Sequence, residues 1–324
     1  MAVGRSAMRT WLIRASGSAV VLGFIFWFLP KEAILQGFTR LSWPLFLSVL
    51  GAFLLCHVAT ASKWWLLMDR AVRFPVALRA HFAGLAANLC LPGAAGGDAV
   101  RAGLAHAALR DGPKVAAAAV GDRMIDLAAL ACLMLTGFML LPEAGEPGEQ
   151  GMVVPVAMAV LALAAVALFA FPPVARLVWT RWPGLPARVL ALRVADAFGA
   201  LAKRPVLLLF TLVYSAAIQS VLIWLSIRLA EPVGVHVPVA VWFFAWPLAK
   251  IIATLPLSLG GLGVREGSLA ALLVPFGAAA PDVVASGLAW QGILYLAGAI
   301  GALILVLSGG RLQGRATALK EISE

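Results

Sequence analysis

Charged residues are scarce in this sequence of 324 residues. Lys and Arg number 25 and Asp and Glu number 15, which is 12% of the chain, whereas 62% of the residues are hydrophobic. An ordinary soluble domain carries charge on about a quarter of its residues, and it needs a charged surface to stay dissolved. The net charge of +10 is dispersed over loops between apolar runs. The composition therefore excludes a soluble enzyme and a nucleic-acid-binding domain, and it predicts a membrane protein.

Cysteine is also scarce, and the sequence lacks the common catalytic motifs. Cys56, Cys90 and Cys132 lie far apart in apolar stretches, which argues against a disulfide framework or a cysteine metal cluster. No Gly-Lys-Ser/Thr follows the glycines of 93–97, and neither a Gly-x-Ser-x-Gly elbow nor a His-Glu-x-x-His site occurs. We therefore expect no cofactor, no bound metal and no direct coupling to ATP.

Long apolar runs make up most of the remaining sequence. A membrane-spanning helix needs about 20 apolar residues, and six segments meet or approach that length. They are 13–29, which is slightly short, 45–66, 124–141, 151–171, 205–229 and 284–308. We predict a single transmembrane domain over 1–324, whose first apolar run is retained as a signal anchor.

Positive charge is concentrated in alternate loops. Lys and Arg cluster before the first span, in 63–79, in 172–204 and near the C-terminus, whereas 142–150 and 230–238 have none. The positive-inside rule therefore places both termini on the cytoplasmic side of the cytoplasmic (inner) membrane. We interpret 172–204 as a cytoplasmic amphipathic linker in contact with anionic inner-leaflet lipids. It either only fixes topology or acts as a regulatory element.

One motif recurs at a constant offset of 164 residues. Leu-Pro-Gly-Ala-Ala-Gly-Gly-Asp-Ala-Val-Arg at 91–101 returns as Leu-Pro-Leu-Ser-Leu-Gly-Gly-Leu-Gly-Val-Arg at 255–265. Nine of the nineteen positions in 91–109 are identical to their equivalents, where composition alone would give about two. We predict two repeat halves, approximately 42–141 and 205–308.

Each copy of the motif lies in hydrophobic stretches that are too short and interrupted for an ordinary span. These stretches are 80–92 with 99–109, and 239–257 with 266–277. We predict a re-entrant helical hairpin in each half, and the loop charges give the two hairpins opposite orientations. The predicted fold class is an all-α polytopic membrane protein with about six full transmembrane helices and two broken hairpins in an inverted-topology repeat. Paired Gly/Pro-broken segments in such repeats indicate a transport site.

The two glycine pairs mark the candidate substrate site. Gly96-Gly97 and Gly260-Gly261 each precede a predicted helix whose N-terminus favours an anion. An arginine follows the second glycine by four residues in each copy, at Arg101 and Arg265. Guanidinium binds phosphate through paired charge-assisted hydrogen bonds. The pattern predicts that both arginines face one anionic head group.

Neighbouring carboxylates offer a structural alternative for the same arginines. Asp98 lies three residues before Arg101 and could neutralise it, and Glu266 lies beside Arg265. The sequence leaves open whether the arginines bind substrate or only pair with these two carboxylates, so Asp98 and Glu266 are also candidate site residues.

Further charges occur within or beside apolar runs. Asp122 and Asp126 lie one helical turn apart with Arg123 between them. They form either a proton or cation relay or the interfacial anchor of the following span. Lys250 has apolar neighbours on both sides, so it requires a partner or a cavity and is a further relay candidate.

Three motifs in order resemble a known family over essentially the whole chain. They are Pro92-Gly93-x-x-Gly96-Gly97-Asp98-x-x-Arg101, Asp122-Arg123-x-x-Asp126, and Pro256-x-Ser258-x-Gly260-Gly261-x-Gly263-x-Arg265-Glu266. The family is the lysylphosphatidylglycerol synthase transmembrane-region, or flippase-like, membrane proteins. The resemblance implies about eight membrane segments and movement of lipids between leaflets. In founding members this domain flips aminoacylated phosphatidylglycerol, and relatives are associated with hopanoid or polyprenyl-linked lipids.

The resemblance leaves the transported lipid open, because the chain does not include the aminoacyl-transferase domain of founding members. An anionic phospholipid, a hopanoid and a polyprenyl-phosphate glycolipid remain candidates. The leading hypothesis is a lipid translocator in which one repeat moves against the other. The alternative is a membrane-embedded enzyme acting on a lipid phosphate, although no nucleophile and base pair is evident. Lipid- or glycolipid-synthesis enzymes are candidate partners.

Overall fold

The computed structural model describes residues 39–90, 94–141, 150–182, 188–254 and 263–321. Within them the chain forms eleven α-helices and no strand. The helices are α1 (Trp43–Leu67), α2 (Phe74–Cys90), α3 (Ala94–Leu109), α4 (Gly112–Met139), α5 (Gln150–Ala165), α6 (Phe171–Arg181), α7 (Arg188–Ala202), α8 (Pro205–Ala230), α9 (Val239–Thr254), α10 (Val264–Leu273) and α11 (Ala280–Glu321). A π-helical turn at Val166–Ala170 joins α5 to α6. The prediction of an all-α fold is confirmed.

Among the described residues, three helices are long and apolar enough to cross a membrane. They cover Trp43–Leu67, Pro205–Val233 and Ala280–Leu307, and they coincide with the predicted spans 45–66, 205–229 and 284–308. α9 is equally apolar but shorter. The predicted span 13–29 lies outside the described residues, and those at 124–141 and 151–171 stay predictions.

α4 is one continuous helix that begins well before the apolar residues at 124. Asp111 caps its first turn, since its carboxylate accepts a hydrogen bond from the backbone N–H of Lys114 at 3.1 Å. Pro113 occupies the first turn, where no backbone hydrogen bond is lost. As a result, Asp122, Arg123 and Asp126 lie in the middle of a long helix.

Helices of the two halves end at the offset of the sequence motif. α2 ends at Cys90 and α9 at Thr254, and α3 ends at Leu109 and α10 at Leu273. In the first half, the long helix α1 precedes the pair α2–α3 and α4 follows it. In the second half, α8 precedes the pair α9–α10 and α11 follows it. The order of helix types is therefore the same in both halves.

The two halves contact each other extensively, because a hairpin helix of each half packs on a long helix of the other. α2 lies along α11, and α9 lies along α4. Gly137 of α4 and Gly301 of α11 mark these crossings at equivalent positions, 164 residues apart in the sequence. A Cβ atom at Gly137 would overlap the backbone of Phe244, and one at Gly301 would overlap the backbone of Phe82. Each crossing therefore depends on glycine, which allows two helix backbones to approach closely.

The segment between the halves folds into α6 and α7. Ala195, Phe198 and Leu201 of α7 are buried, and α7 packs against α4. Just beyond α7, Arg204 donates hydrogen bonds of 2.7 and 3.1 Å to the carboxylate of Asp69. These hydrogen bonds hold the pKa of Asp69 below its ordinary value of 3.8.

Candidate functional site

A cavity of about 310 Å³ lies where the two halves meet. Each of the helices α1–α4 and α8–α11 contributes to its walls. Its charged lining residues are Asp98, Arg101, Asp122, Arg123, Asp126, Lys250 and Arg265. Charged and hydrogen-bonding groups gathered inside an apolar helical domain indicate a site for a polar ligand.

Arg101 on α3 is almost completely buried, with 3% of its surface exposed. Its Nη1 donates a 2.9 Å hydrogen bond to Asp122, and its guanidinium lies over the ring of Trp64, 4.5 Å from the centroid. Nη2 lies 3.4 Å from an oxygen of Asp98. Nε and Nη2 form no hydrogen bond within the described residues. Arg101 thus has donor capacity left for an anion in the cavity.

Lys63 extends the first-half network behind Arg101. It is fully buried on α1 and forms ion pairs with Asp122, at 3.1 Å, and with Asp126. The Ser215 hydroxyl of α8 donates to Asp126 and lies 3.3 Å from the ammonium of Lys63. Three helices are joined here by a buried network whose charges need one another, because an isolated buried charge is costly.

A second arginine of the first half joins α4 to α3. Arg123 donates two hydrogen bonds to Asp98, one from Nε and one of 2.7 Å from Nη2. Asp98 therefore contacts both Arg123 and Arg101. This bidentate geometry fixes the orientation of both helices at the cavity wall.

The second half places Arg265 against Glu266 and Gln291. Arg265 donates to the carboxylate of Glu266 and, at 3.1 Å, to the side-chain oxygen of Gln291 on α11. Glu266 also accepts a 2.7 Å hydrogen bond from the backbone N–H of Gly263. Gly287 makes room for this carboxylate, because a Cβ there would lie 2.8 Å from Cγ of Glu266. The pair is therefore built into the junction of α10 and α11.

Lys250 of α9 has no carboxylate partner within the described part of the chain. Its ammonium donates a 2.8 Å hydrogen bond to the side-chain oxygen of Gln219 and lies 4.7 Å from the ring centroid of Trp246. An amide oxygen and an aromatic face stabilise a cation without neutralising it. Lys250 thus brings a formally uncompensated positive charge to the cavity.

Two histidines complete the polar wall. Nδ1 of His57 on α1 lies 2.9 Å from Nε2 of His81 on α2, so one ring donates a hydrogen bond to the other. His57 also packs on Phe53 with ring centroids 4.4 Å apart. The pair links α1 to the first hairpin, and both rings line the cavity.

The rim of the cavity is apolar and partly exposed. Leu89 of α2 and Tyr295 of α11 line the cavity and are 40% and 49% exposed. Leu85 and Leu294 lie beside them in the lining. Leu89 packs over Gly298, because a Cβ at Gly298 would lie 2.6 Å from Cγ of Leu89. The cavity thus has a charged interior and a hydrophobic edge between α2 and α11.

Comparison with protein families identifies the chain. The family model described as the lysylphosphatidylglycerol synthase TM region matches residues 11–301. The chain belongs to this family. No curated protein sequence and no solved structure matches it significantly. Membership confirms the resemblance predicted from the three motifs and identifies a lipid-related membrane protein.

Most of the site residues predicted for this member of the lysylphosphatidylglycerol synthase TM-region family lie together. Arg101, Arg265 and Lys250 line one cavity, and so do Asp98, Asp122, Arg123 and Asp126. Glu266 lies behind Arg265 and is buried. Gly260 and Gly261 fall outside the described residues. Both proposed pairings, of Arg101 with Asp98 and of Arg265 with Glu266, are present, and both arginines also face the cavity.

Gly96 and Gly97 lie within the first turn of α3 and not in the break before it. Gly97 is the point where α3 crosses α2, because a Cβ there would overlap the backbone oxygen of Gly84. Its backbone N–H donates a 3.0 Å hydrogen bond to the side chain of Asn88. The glycine pair therefore brings α3 close to α2, and this proximity places Arg101 at the cavity wall.

Several lining residues of this family member escape prediction from sequence. The charge pattern predicts that the cations of 63–79 lie in a loop, but Lys63 is buried inside α1, so the prediction is wrong for this residue. The sequence feature that could have indicated its burial is the apolar run Trp64-Trp65-Leu66-Leu67 directly after it. His81 and Gln219 are isolated polar residues in apolar helices, which is a weak signal for a buried site.

Proposed function

We propose that this protein is a lipid translocator that moves a lipid with an anionic, phosphate-bearing head group between the leaflets of the cytoplasmic membrane. The observation that carries the proposal is the cavity at the junction of the two halves, which contains Arg101, Arg265 and Lys250. Guanidinium and ammonium groups in a low-dielectric site favour a phosphate over neutral head groups.

The shape of the site supports transport of an amphipathic molecule. A polar head group can bind in the charged interior while the hydrocarbon chains pass over Leu89 and Tyr295 into the surrounding lipid. A lipid translocator requires this arrangement, because only the head group has to be removed from water and carried through the hydrocarbon region.

The equivalent helix order supports an inverted-topology repeat. Broken helical pairs at the same offset, with the cavity between them, match the general arrangement of transporters whose binding site lies at a repeat interface. In this proposal α4 and α5 also cross the membrane, both termini are cytoplasmic, and the cavity opens alternately to each leaflet. Polyprenyl-phosphate glycolipids and anionic phospholipids both fit this scheme, and a hopanoid fits it only with a phosphate in its head group.

The experiment is a leaflet-resolved assay in proteoliposomes. Purified protein is reconstituted with fluorescent phosphatidylglycerol, and a membrane-impermeant quencher reports the fraction of label in the outer leaflet over time. Wild-type protein should equilibrate the label faster than protein-free vesicles. Arg101→Gln should slow it by about tenfold or more, because a hydrogen bond to a charged group is worth about 1.5–3 kcal/mol. Arg101→Lys should recover only part of the rate, since lysine lacks the bidentate fork.

Two controls separate the alternatives. Arg181→Gln changes an exposed arginine at the end of α6, away from the cavity, and should behave as wild type. Mass spectrometry of the recovered lipid distinguishes transport from chemistry. A chemically altered head group would favour the membrane-embedded enzyme instead. The translocator would be refuted if phosphatidylglycerol and a labelled polyprenyl-phosphate sugar were both recovered unchanged in their original leaflet.

A further inference from the structure

The charges around the cavity do not cancel. The cationic side chains that line it or pair with its lining are Lys63, Arg101, Arg123, Lys250 and Arg265. The acidic side chains are Asp98, Asp122, Asp126 and Glu266. With the two histidines neutral, these described residues leave one formal positive charge. All except Lys250 take part in an ion pair.

The hairpin connections add no charge of their own. Residues 91–93 are Leu-Pro-Gly, and residues 255–262 are Leu-Pro-Leu-Ser-Leu-Gly-Gly-Leu. Neither segment contains an ionisable side chain. These two connections therefore leave the formal charge counted for the cavity unchanged.

The surroundings of Lys250 fit a binding group better than a structural one. A structural lysine in an apolar domain pairs with a carboxylate, as Lys63 does with Asp122 and Asp126. Lys250 instead has the oxygen of Gln219 and the face of Trp246, both of which line the same cavity. Its environment holds the ammonium in place and leaves its charge available to a ligand.

We infer that the cavity binds a lipid whose head group carries one negative charge on a phosphodiester, and that Lys250 provides the balancing positive charge. This inference rests on the proposed transport function and specifies its substrate class. One anionic phosphodiester makes the loaded cavity electrically neutral. Neutrality matters because an unbalanced charge in the hydrocarbon region is costly.

The same balance disfavours other head groups. A zwitterionic phospholipid leaves the excess positive charge, and a cationic aminoacylated lipid adds to it. A pyrophosphate brings more than one negative charge and overcompensates the site. A phosphodiester shares one charge between two free oxygens, which suits the unused N–H donors of Arg101 together with the ammonium of Lys250. Phosphatidylglycerol and a polyprenyl-phosphate sugar both supply this group.

Gln219→Glu gives the sharpest test. This near-isosteric change places a carboxylate beside the ammonium of Lys250, removes the net charge of the empty cavity and favours the folded state through a new ion pair. Gln219→Leu is the matched control, because it removes the hydrogen bond without altering net charge. Lys250→Met also removes the net charge, and Lys203→Met is its control at an exposed position outside the cavity.

The probes are short-chain phosphatidylglycerol, a short-chain polyprenyl-phosphate sugar, phosphatidylcholine and a prenyl pyrophosphate. Binding to protein in detergent micelles, where no matrix lipid competes with the probes, is measured by tryptophan fluorescence. Wild type should bind at least one phosphodiester anion about tenfold or more tightly than phosphatidylcholine or pyrophosphate. Gln219→Glu and Lys250→Met should lose that preference. Gln219→Leu should bind every probe less tightly, because Lys250 loses its hydrogen bond, but it should still prefer the phosphodiester anions. Lys203→Met should behave as wild type.

The outcomes separate this inference from the proposed function. Tightest binding of pyrophosphate by wild type, or equal affinity for all probes, overturns the assignment without requiring any variant. A preference that survives in a folded Gln219→Glu protein overturns the role of Lys250. If labelled lipids cross the membrane regardless of head-group charge, translocation stands and the substrate class fails. If phosphodiesters bind selectively but never cross, the site stands and the translocator fails. Phosphatidylglycerol and the polyprenyl-phosphate sugar are measured separately, and their relative affinities show which lipid the cavity prefers as the source of the phosphodiester.

Discussion

Arg101 and Arg265 occupy equivalent positions of the recurring motif, but their carboxylate partners keep different contacts when the arginine is removed. Asp122, the partner of Arg101, also pairs with Lys63. Glu266, the partner of Arg265, keeps only the backbone N–H of Gly263 among its described contacts. The loss of one arginine therefore leaves a paired carboxylate, and the loss of the other leaves an unpaired one in a fully buried site.

Arg265→Gln should destabilise the protein by about 3–5 kcal/mol, the usual cost of breaking a buried ion pair from one side. Arg101→Gln should cost less, about 1–2 kcal/mol. Unfolding in detergent, followed by the fluorescence of the 11 tryptophans, measures both. The double variant Arg265→Gln/Glu266→Gln should recover much of the loss, because no charge is stranded. Equal losses for the two single variants would contradict this account.

Individual side chains differ in how far the sequence predicts them. Arg265 could be singled out because the repeat aligns it with Arg101, and Lys250 because apolar residues flank it on both sides. Lys63 could not, since a lysine near the end of an apolar run usually lies at the membrane interface. Which buried groups pair with one another depends on how neighbouring helices are rotated, and no local pattern encodes that rotation.

Glycines at the helix crossings have a purely steric role that can be tested. Gly137→Ala and Gly301→Ala each place a methyl group against the backbone of the opposing helix. Overpacking of this kind costs about 1–3 kcal/mol. Gly51→Ala and Gly103→Ala are matched controls in α1 and α3, where a Cβ meets nothing within 4 Å.

Thermal unfolding in detergent should give a lower Tm for the two crossing variants and an unchanged or slightly higher Tm for the controls. Alanine favours a helix over glycine by about 1 kcal/mol, so the controls have no reason to lose stability. A similar decrease in all four variants would mean that the effect is not one of helix contact.

The link between α1 and α8 should depend weakly on pH. Arg204 lowers the pKa of Asp69 in the folded protein, so the pair stabilises the fold above the ordinary value of 3.8. The contribution is lost as the pH falls through the lower, folded pKa. Asp69→Asn should therefore lower the Tm slightly near neutral pH and have no effect in strong acid.

The expected difference is small because both side chains are about half exposed and solvent screens the pair. Tm measurements across this pH range, with and without added salt, provide the comparison. Salt should reduce the difference at neutral pH. A difference that grows on acidification would show that Asp69 acts in some other way.

The boundaries of the helices were predictable where proline and glycine interrupt apolar runs. The predicted end of the first hairpin at 109 coincides with the end of α3 at Leu109. The start of α2 at Phe74 was missed, because Arg79 lies near an expected membrane surface although the helix continues through it. A helix can begin in a polar segment and continue into an apolar one, whereas hydropathy marks only the apolar part of the helix.

Contacts between the two halves contribute more to the fold than the order of helices along the sequence suggests. α2 packs most extensively on α11 of the other half, and α9 on α4, so each hairpin has one helix whose main long-helix partner belongs to the other half. The recurrence of one motif after 164 residues is visible in the sequence. The packing of each hairpin on the other half is not, because a hydrophobic pattern does not show which apolar faces contact each other.

Dividing the chain within 183–187, between α6 and α7, tests this dependence. Each half expressed alone should aggregate or be degraded, since its hairpin lacks the partner helix. Co-expression should give a complex that elutes as one species and binds the same lipid as the intact chain. A first half that is monodisperse and protease-resistant by itself would contradict the argument.

The glycine contacts at Gly137 and Gly301 also define which parts can move as rigid bodies. Backbones in such close contact slide past each other poorly, so α4 travels with α9 and α11 travels with α2. In the proposed alternating-access motion the two moving bodies would then be hybrids, each assembled from helices of both halves.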